Sequence, residues 1–209
     1  YVAALQLLEA QPEGPNPLLC QFLGSGMEGD ALDALLERRA EKAVAGVPHF
    51  VSTRVVSRCR IATTLVEAAT GDATEIVEPS GKVEPSEWEE MLKSLEGLVS
   101  ENSGEGAGGV AAIGIMGTMP PGVPSDGYSQ IVRRVCGPST KVVVDSVVDL
   151  PNTLQAASEA VAGGDGGVML KLNAREVLKL AGQELEGSDS QVAAEPAAVA
   201  KACRALVSG

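Results

Sequence analysis

Short apolar runs alternate with helical patterns along most of this 209-residue chain. Residues 110–116, 141–144 and 168–172 are apolar runs of strand length, and the segments 125–136 and 150–162 between them repeat apolar residues at helical spacing. Strands that are joined through a helix pair in parallel by a right-handed crossover, and helices then cover both faces of their sheet. The order of these segments therefore predicts an α/β fold with a mainly parallel sheet.

Both ends of the chain extend this pattern. Residues 18–23 are an apolar run suited to a buried strand, and an amphipathic helix with Leu32, Leu35 and Leu36 on one face follows the stretch 24–30. Further helices are predicted at 1–10, 173–181 and 195–207. The chain thus opens and closes on predicted helices without an outer strand, which we expect of a segment cut from a larger sheet.

Residues 60–77 interrupt the α/β repeat. Alternating and β-branched residues flank the triplet Thr70-Gly71-Asp72, a pattern typical of an antiparallel hairpin with a glycine-containing turn. A helix is predicted directly after it, with Ser86 and Glu89 as a capping box. Its buried stripe is predicted to comprise Trp88, Met91, Leu92, Leu95 and Leu98. The hairpin is therefore expected to stand apart from the main sheet.

The charge and composition exclude two classes of partner. A net charge of −12 repels a nucleic-acid backbone, and two Phe, two Tyr and one Trp leave few rings for stacking on bases. No run approaches the roughly 20 apolar residues that a membrane-spanning helix needs. We therefore expect a protein with neither nucleic acid nor membrane as a partner, whose core is built from Ala, Val, Leu and Ile. Its expected location is the cytoplasm, or an organelle if a targeting segment precedes Tyr1.

Cysteine, histidine and the common catalytic motifs add no site of their own. Four cysteines lie far apart without a CxxC pair, at positions 20, 59, 136 and 203, so we expect reduced and buried thiols. His49 is the only histidine and is expected in a loop, without partners for a dyad or triad. The motifs GxxxxGK[ST], GxGxxG, GxSxG and HExxH do not occur, which excludes the common nucleotide hydrolases, Rossmann enzymes, α/β-hydrolases and zinc proteases.

Distinctive segments follow two of the predicted strands. Ligands of open parallel sheets bind outside the carboxyl ends of the strands, so these positions are informative. Residues 117–124 read Gly-Thr-Met-Pro-Pro-Gly-Val-Pro, in which glycine allows close backbone approach and the prolines stiffen the loop. The same sequence would also serve as a rigid turn between a strand and a helix, so both interpretations stay open.

The second segment is Lys-Leu-Asn-Ala-Arg-Glu at 171–176. Lys171 can neutralise a phosphate, while Asn173 and Glu176 can hold phosphate oxygens or metal-bound water at a helix start. Asn173 and Glu176 also fit an N-cap and a capping box, a structural role compatible with binding. Asp145, after the run 141–144, either faces the same crevice or caps a turn.

The hairpin supplies the third candidate, with Arg58, Arg60, Thr63 and Thr64 on its first strand. A guanidinium recognises a phosphorylated sugar in a bidentate manner, which a lysine does less well. The alternative is a solvated strand face on which the arginines pair with Glu75 or Glu78.

Five segments in this order resemble the ribokinase-like carbohydrate kinases, nearest the phosphofructokinase B branch with 1-phosphofructokinase and tagatose-6-phosphate kinase. Residues 22–29 are similar to FLGxxxG, and 60–64 with 74–80 are similar to the hairpin TRxxxT…TExxEPG. Residues 117–124, 143–146 and 171–176 are similar to GSLPPGVP, VxLD[TS] and KPNxxE. Leu172 stands where the family has proline and Cys59 where it usually has threonine.

The resemblance implies a fold and an activity. The fold is a ribokinase-like α/β/α domain over residues 1–209, truncated at both ends, with residues 60–77 as part of a lid that can mediate a homodimer. The activity is ATP-dependent phosphoryl transfer to a hydroxyl of a sugar or sugar phosphate, with a ketohexose phosphate favoured, and with ATP and Mg²⁺ as cofactors.

Residue roles follow from the same resemblance. Arg60 and Thr118 would bind the substrate, Lys171 and Asn173 the phosphates of ATP, and Glu176 would organise Mg²⁺ through water. The family's GGKG turn would precede Tyr1, and its GAGD segment with the general-base aspartate would follow Gly209, so the 209 residues alone are expected to show no turnover. The alternative is a non-catalytic kinase-like protein that binds a sugar phosphate or a partner.

Overall fold

A computed structural model describes residues 18–41, 49–101, 110–183 and 196–208. The helix predicted at 1–10 lies outside these residues. The chain divides into two compact units, Tyr1–Gly108 with Met119–Pro124 and Gly109–Thr118 with Ser125–Gly209. That both units belong to one kinase domain stays a prediction.

The described part of the first unit contains two small sheets and two helices. Its elements are β1 (Leu18–Gly24), α1 (Met27–Glu41), β2 (His49–Val55), β3 (Ala62–Val66), β4 (Ala73–Val77) and α2 (Pro85–Glu101). β1 and β2 pair in parallel, from Leu18 opposite His49 to Gly24 opposite Val55. The prediction that His49 lies in a loop is wrong, because it begins β2. Polar residues interrupt the apolar pattern of β2, so the strand is recognised from its pairing with β1 and not from its sequence.

The predicted hairpin is confirmed as β3 and β4, which pair antiparallel from Ala62 opposite Val77 to Val66 opposite Ala73. Gly71 has a φ of 78° in the connecting turn, a conformation that glycine adopts without strain. Every residue of both strands is exposed. Arg58 and Arg60 precede β3 and do not lie on it, which corrects their predicted placement.

α2 supplies most of the core of the first unit. Trp88, Met91, Leu92 and Leu95 are buried as predicted, and the ring of Trp88 lies 6.2 Å from that of Phe22 on β1. Leu98 is half-buried. These contacts fix α2 against the sheet of β1 and β2.

The predicted capping box of Ser86 and Glu89 is wrong, because α2 begins at Pro85. Proline is favoured at the first helical position, where its fixed φ suits the helix and its missing N–H is not needed. Glu87 performs the expected function of the box instead, since its Oε2 accepts a hydrogen bond of 2.7 Å from the backbone N–H of Glu84.

α1 is held to β2 by charge. Arg54 donates to Oδ1 of Asp30 at 2.9 Å and to Oδ2 of Asp33 at 2.7 Å. Leu32 and Leu35, part of the predicted apolar face, are 40% and 59% exposed. The described part of the first unit therefore does not bury this face of α1.

The second unit is built on a parallel sheet of order β5-β6-β7, as the strand and helix alternation predicts. Its elements are β5 (Ala112–Met116), α3 (Gly127–Val135), β6 (Lys141–Asp145), α4 (Leu150–Val161), β7 (Gly167–Leu170), α5 (Ala174–Leu180) and α6 (Pro196–Ser208). Val142 and Val144 of the central strand are fully buried, together with Val132 and Ala157. Val177, Leu178 and Ala202 form a smaller core between α5 and α6.

The cysteines are unpaired, as expected, but they are less buried than predicted. Cys20, Cys59 and Cys136 are half-buried and Cys203 is exposed. Burial raises the pKa of Cys20 and of Cys136 to about 11. Among the helices that the structure describes, none has the length and apolarity to cross a membrane.

Candidate functional site

The carboxyl ends of β5, β6 and β7 lie at one edge of the second unit's sheet. The N–H of Gly117, which follows β5, donates to the carbonyl of Asp145 at 3.2 Å. The N–H of Lys171, which follows β7, donates to the carbonyl of Val144 at 2.8 Å. Parallel pairing therefore gathers the ends of three predicted motifs, which are distant in sequence, at a single edge.

An ion pair occupies the centre of this edge. Nζ of Lys171 lies 2.6 Å from Oδ2 of Asp145, and their side chains are 67% and 31% exposed. Exposed pairs of this kind contribute about 1 kcal/mol or less to stability. Of the alternatives for Asp145, the structure favours the one in which it shares the crevice with Lys171. Both charged groups are exposed enough to meet a ligand.

Asn173 and Glu176 form the predicted capping box at the start of α5. Oδ1 of Asn173 accepts from the N–H of Glu176 at 2.9 Å, and Oε2 of Glu176 accepts from the N–H of Asn173 at 2.8 Å. The box holds both side chains directly after Lys171. The structural interpretation of this motif is confirmed, and a binding role remains compatible with it.

The chemistry of this edge suits a magnesium-bound phosphate. Lys171 offers a cation for phosphate oxygens, and Asp145 and Glu176 offer the carboxylate oxygens that Mg²⁺ prefers directly or through water. Within the described ranges no three His, Cys, Asp or Glu side chains cluster as a set of metal ligands.

Tyr128 supports the turn after β5, a role that the sequence analysis missed. Its hydroxyl lies 3.1 Å from the carbonyl oxygen of Met116 and 3.0 Å from that of Gly117. Burial raises the pKa of Tyr128, so the hydroxyl keeps its proton and can donate to these carbonyls. Gly117 has a φ of 82°, and Thr118 directly after it is exposed. The chain has two tyrosines, and Tyr128 falls within a predicted helix. That placement is the sequence signal that could have identified this contact.

The segment Met119–Pro124 belongs to the first unit. The N–H of Val83 donates to the carbonyl of Pro121 at 2.8 Å. At Gly122, which has a φ of 92°, a Cβ atom would lie 2.0 Å from the carbonyl oxygen of Val83. The glycine is therefore required by close packing, which supports the interpretation of this loop as a rigid turn.

A cavity of about 590 Å³ opens at the base of the hairpin in the first unit. Its lining residues are Ser57, Arg58, Cys59, Glu78, Pro79 and Gly81. Arg60, the predicted substrate-binding residue, is exposed beside the lining, and its Nη1 lies 3.3 Å from Oγ of Ser80. Arg58 thus lies in the wall of the cavity, and Arg60 follows it two positions later in the chain.

Two buried contacts set the path of the chain into this cavity. Oε1 of Glu87, which is 8% exposed, accepts from the N–H of Val56 at 2.7 Å. The N–H of Gly24 donates to Sγ of Cys59 at 3.2 Å, and a Cβ atom on Gly24 would lie 2.1 Å from the N of Cys59. The glycine of the FLG segment therefore lets β1 approach the arginine-bearing segment closely.

Arg58 is paired across the cavity wall. Its Nη2 lies 2.5 Å from Oε2 of Glu78, and the same oxygen accepts from the N–H of Ile61 at 3.0 Å. The hydrogen bond from Arg58 holds the pKa of Glu78 below its ordinary value, with a further contribution from the N–H of Ile61. For Arg58, the alternative of a pair with Glu78 is thus confirmed. Arg60 contacts Ser80 instead.

The predicted site residues divide between the two units. Thr118, Lys171, Asn173 and Glu176 belong to the second unit, and Arg60 belongs to the first. Within the second unit, Lys171 pairs with Asp145, and the capping box begins two residues after Lys171 in the chain. The sequence left the partners of Asp145 and Arg58 open, and the structure pairs Asp145 with Lys171 and Arg58 with Glu78.

Comparisons with known proteins reveal structural likeness only. The sequence matches no family model and no curated protein. The tetrameric inhibited form of phosphofructokinase-2 from Escherichia coli is 18% identical, with a TM-score of 0.61 over 99% of this chain and 57% of that chain. The same enzyme in complex with fructose-6-phosphate is 20% identical, with a TM-score of 0.57 over 99% of this chain and 57% of that one.

A third structure is a possible 1-phosphofructokinase of Thermotoga maritima. It is 18% identical, with a TM-score of 0.57 over 84% of this chain and 48% of its own. This chain therefore spans about half of the length of the phosphofructokinases that it matches. It has their ribokinase-like α/β fold, as the five ordered motifs predict.

Proposed function

We propose that this protein is an ATP-dependent kinase that phosphorylates a hydroxyl group of a sugar phosphate. The observation that carries the proposal is the ion pair of Lys171 with Asp145 at the carboxyl edge of a parallel sheet, with the Asn173–Glu176 capping box just after Lys171 in the chain. Ligands of such sheets bind at this edge. The fold is that of phosphofructokinases, which supports a sugar kinase over other phosphate-binding proteins.

The proposed nucleotide site lies in the second unit. Lys171 would neutralise the phosphates of ATP, Asn173 would hydrogen-bond their oxygens, and Glu176 would hold the water shell of Mg²⁺. The metal supplies charge neutralisation of the transferred phosphoryl group when it is bound. Phosphoryl transfer relies mainly on positioning and electrostatic stabilisation, which these side chains are suited to provide.

The acceptor is proposed to be a ketohexose phosphate, and the substrate-binding residues that we propose are Arg60 in the first unit and Thr118 in the second, each considered within its own unit. Arg60 has an exposed guanidinium with one neutral partner, and Thr118 is exposed after the glycine turn. A guanidinium recognises a phosphate in a bidentate manner. Phosphofructokinase-2 in complex with fructose-6-phosphate provides the chemical precedent. We also propose that the protein is cytoplasmic.

The partner that we propose for the hairpin is a second copy of the chain. Leu65, Val66, Ile76 and Val77 are between 49% and 64% exposed. Leu65 and Ile76 lie on one face of the hairpin, and Val66 and Val77 lie on the other. An isolated two-stranded sheet is only marginally stable in water, and exposed apolar side chains favour association. Ile76→Glu is expected to shift the protein toward the monomer in sedimentation analysis, whereas Ala69→Glu in the turn should leave association unchanged. A monomeric unmodified protein would contradict this assembly.

Turnover of candidate acceptors tests the activity directly. The protein is expected to consume MgATP with fructose-6-phosphate, fructose-1-phosphate or tagatose-6-phosphate. Arg60→Ala should weaken binding of the sugar phosphate and leave nucleotide binding nearly unchanged, and Arg38→Ala serves as a charge-matched control on α1. Sugar-phosphate binding without turnover by the protein would instead favour a non-catalytic binding protein.

A further inference from the structure

The arginine in the wall of the hairpin cavity is Arg58 and not Arg60. Arg58 lines the cavity together with Glu78, and its side chain is 57% exposed. Arg60 lies two residues further along the chain and contacts Ser80 at 3.3 Å. Arg58 in the cavity wall is thus bound to a carboxylate, whereas the contact that the described residues give Arg60 is to the hydroxyl of Ser80.

The pair of Arg58 and Glu78 is of a kind that a ligand can displace. Glu78 is 41% exposed, and exposed ion pairs contribute little to stability because solvent screens them. A phosphate dianion accepts two parallel hydrogen bonds from a guanidinium and attracts it more strongly than one carboxylate oxygen does. A phosphate that enters the cavity can therefore replace Glu78 as the partner of Arg58.

Glu78 does not need Arg58 to stay in position. Oε2 of Glu78 also accepts from the N–H of Ile61 at 3.0 Å, which ties the carboxylate to the backbone at the start of the hairpin. Glu28 in the first turn of α1 adds a second, more distant attraction for Arg58. Negative charge thus remains at the rim after Arg58 has moved, and it opposes an incoming anion.

We propose that Arg58 is a second anion-binding residue of this cavity and that Glu78 is an internal competitor for it. In the empty cavity Arg58 binds Glu78. When a phosphate monoester binds, the guanidinium transfers to the phosphate, beside Arg60, and the cost of releasing Glu78 lowers the affinity. The identification of the ligand as a sugar phosphate rests on the proposed function, whereas the competition between Glu78 and an anion does not.

The test is the sign of the effect of Glu78→Gln on anion binding. Inorganic phosphate is titrated into the 209-residue protein by calorimetry at constant ionic strength. The amide oxygen of the glutamine can still accept from the N–H of Ile61, so the hairpin base keeps its backbone contact. Removal of this competing carboxylate is expected to tighten phosphate binding roughly two- to fivefold.

Two variants separate competition from the general loss of negative charge. Glu75→Gln removes the same charge from β4, where Glu75 faces Thr64 in the register, and is expected to leave phosphate affinity nearly unchanged. Arg58→Gln is expected to weaken phosphate binding, and in its presence Glu78→Gln should produce no tightening beyond that of Glu75→Gln. Such non-additivity is the signature of direct coupling between two residues.

Each outcome decides the proposal. Weaker or unchanged phosphate binding in Glu78→Gln, tightening that persists without Arg58, or no phosphate binding in any variant overturns it. Thermal unfolding of every variant shows that the comparison concerns folded protein. A parallel titration with fructose-6-phosphate addresses the proposed function separately. If Glu78→Gln tightens phosphate but the sugar phosphate binds no better than phosphate, the competition stands and the proposed substrate class fails.

Discussion

Nζ of Lys171 lies 2.6 Å from Oδ2 of Asp145, across the carboxyl ends of β7 and β6. The two residues are 26 positions apart in the chain, and the parallel register of Val144 with Leu170 brings them together. A cation and a carboxylate at the open edge of a parallel sheet are suited to a metal-bound phosphate. This pair is the centre of the proposed nucleotide site.

Replacement of Lys171 tests the role of the pair. Lys171→Met removes the cation, and we expect MgATP binding measured by calorimetry to weaken about tenfold, because hydrogen bonds to charged groups contribute about 1.5–3 kcal/mol. Stability should change by about 1 kcal/mol or less, since the pair is exposed. Lys141→Met at the opposite end of β6 is the control. Equal loss of affinity in both variants would refute the assignment.

Glu176 separates the structural role of the capping box from a role in metal binding. Glu176→Gln keeps an oxygen that can accept from the N–H of Asn173 but removes the charge, so we expect unchanged thermal stability and a higher Mg²⁺ requirement for nucleotide binding. Glu176→Ala removes both the capping oxygen and the charge. We therefore expect the higher Mg²⁺ requirement together with a loss of about 1 kcal/mol in the free energy of unfolding. An unchanged Mg²⁺ requirement in Glu176→Gln would leave Glu176 as a helix cap only.

Gly24 controls the approach of β1 to the arginine segment. A Cβ atom there would lie 2.1 Å from the N of Cys59, so Gly24→Ala is expected to lower the free energy of unfolding by about 1–3 kcal/mol in urea denaturation. Gly97→Ala on α2 is the matched control, because its Cβ would meet no atom of the structure within 4 Å and alanine favours a helix by about 1 kcal/mol. Equal destabilisation by both substitutions would argue against the close approach.

The cysteines should differ in their reactivity. The thiolate is the reactive form, and a pKa of about 11 leaves roughly one in a thousand thiols ionised at pH 8. We therefore expect Cys203, which is exposed, to react with maleimide well before Cys20 and Cys136 in the native protein. Raising the pH toward 11 should increase the rates of the two slow thiols, as followed by mass spectrometry. Rapid early labelling of Cys20 would contradict its burial.

Much of the fold was predictable because it rests on local patterns. The runs at 110–116 and 141–144 become β5 and β6, and Asn173 caps α5 with Glu176, since strand composition and helix capping depend on residues that are neighbours in sequence. β2 was not predictable in this way, because its polar residues conceal a strand that is defined by pairing with β1. The start of α2 was predicted incorrectly because Ser86 and Glu89 fit the capping-box pattern as well as Pro85 fits the first helical position.

The candidate site was only partly predictable for the same reason. Lys171, Asn173 and Glu176 lie within six residues, so their proximity follows from the chain itself. Arg58 and Glu78 are 20 positions apart, and two predicted partners, Glu75 and Glu78, were open from the sequence. The hairpin register decides between them, because it places Glu75 opposite Thr64 and leaves Glu78 at the base of the hairpin beside Ile61.

The sequence by itself determined the order of strands and helices, the parallel sheet of the second unit and the positions of the motifs that carry its resemblance to sugar kinases. Only the tertiary structure decided that Lys171 pairs with Asp145, that Arg58 pairs with Glu78 in a cavity wall, and that the apolar residues of the hairpin face solvent. Periodicity and capping act over a few residues, whereas ion pairs and burial depend on which distant segments the sheet register brings together.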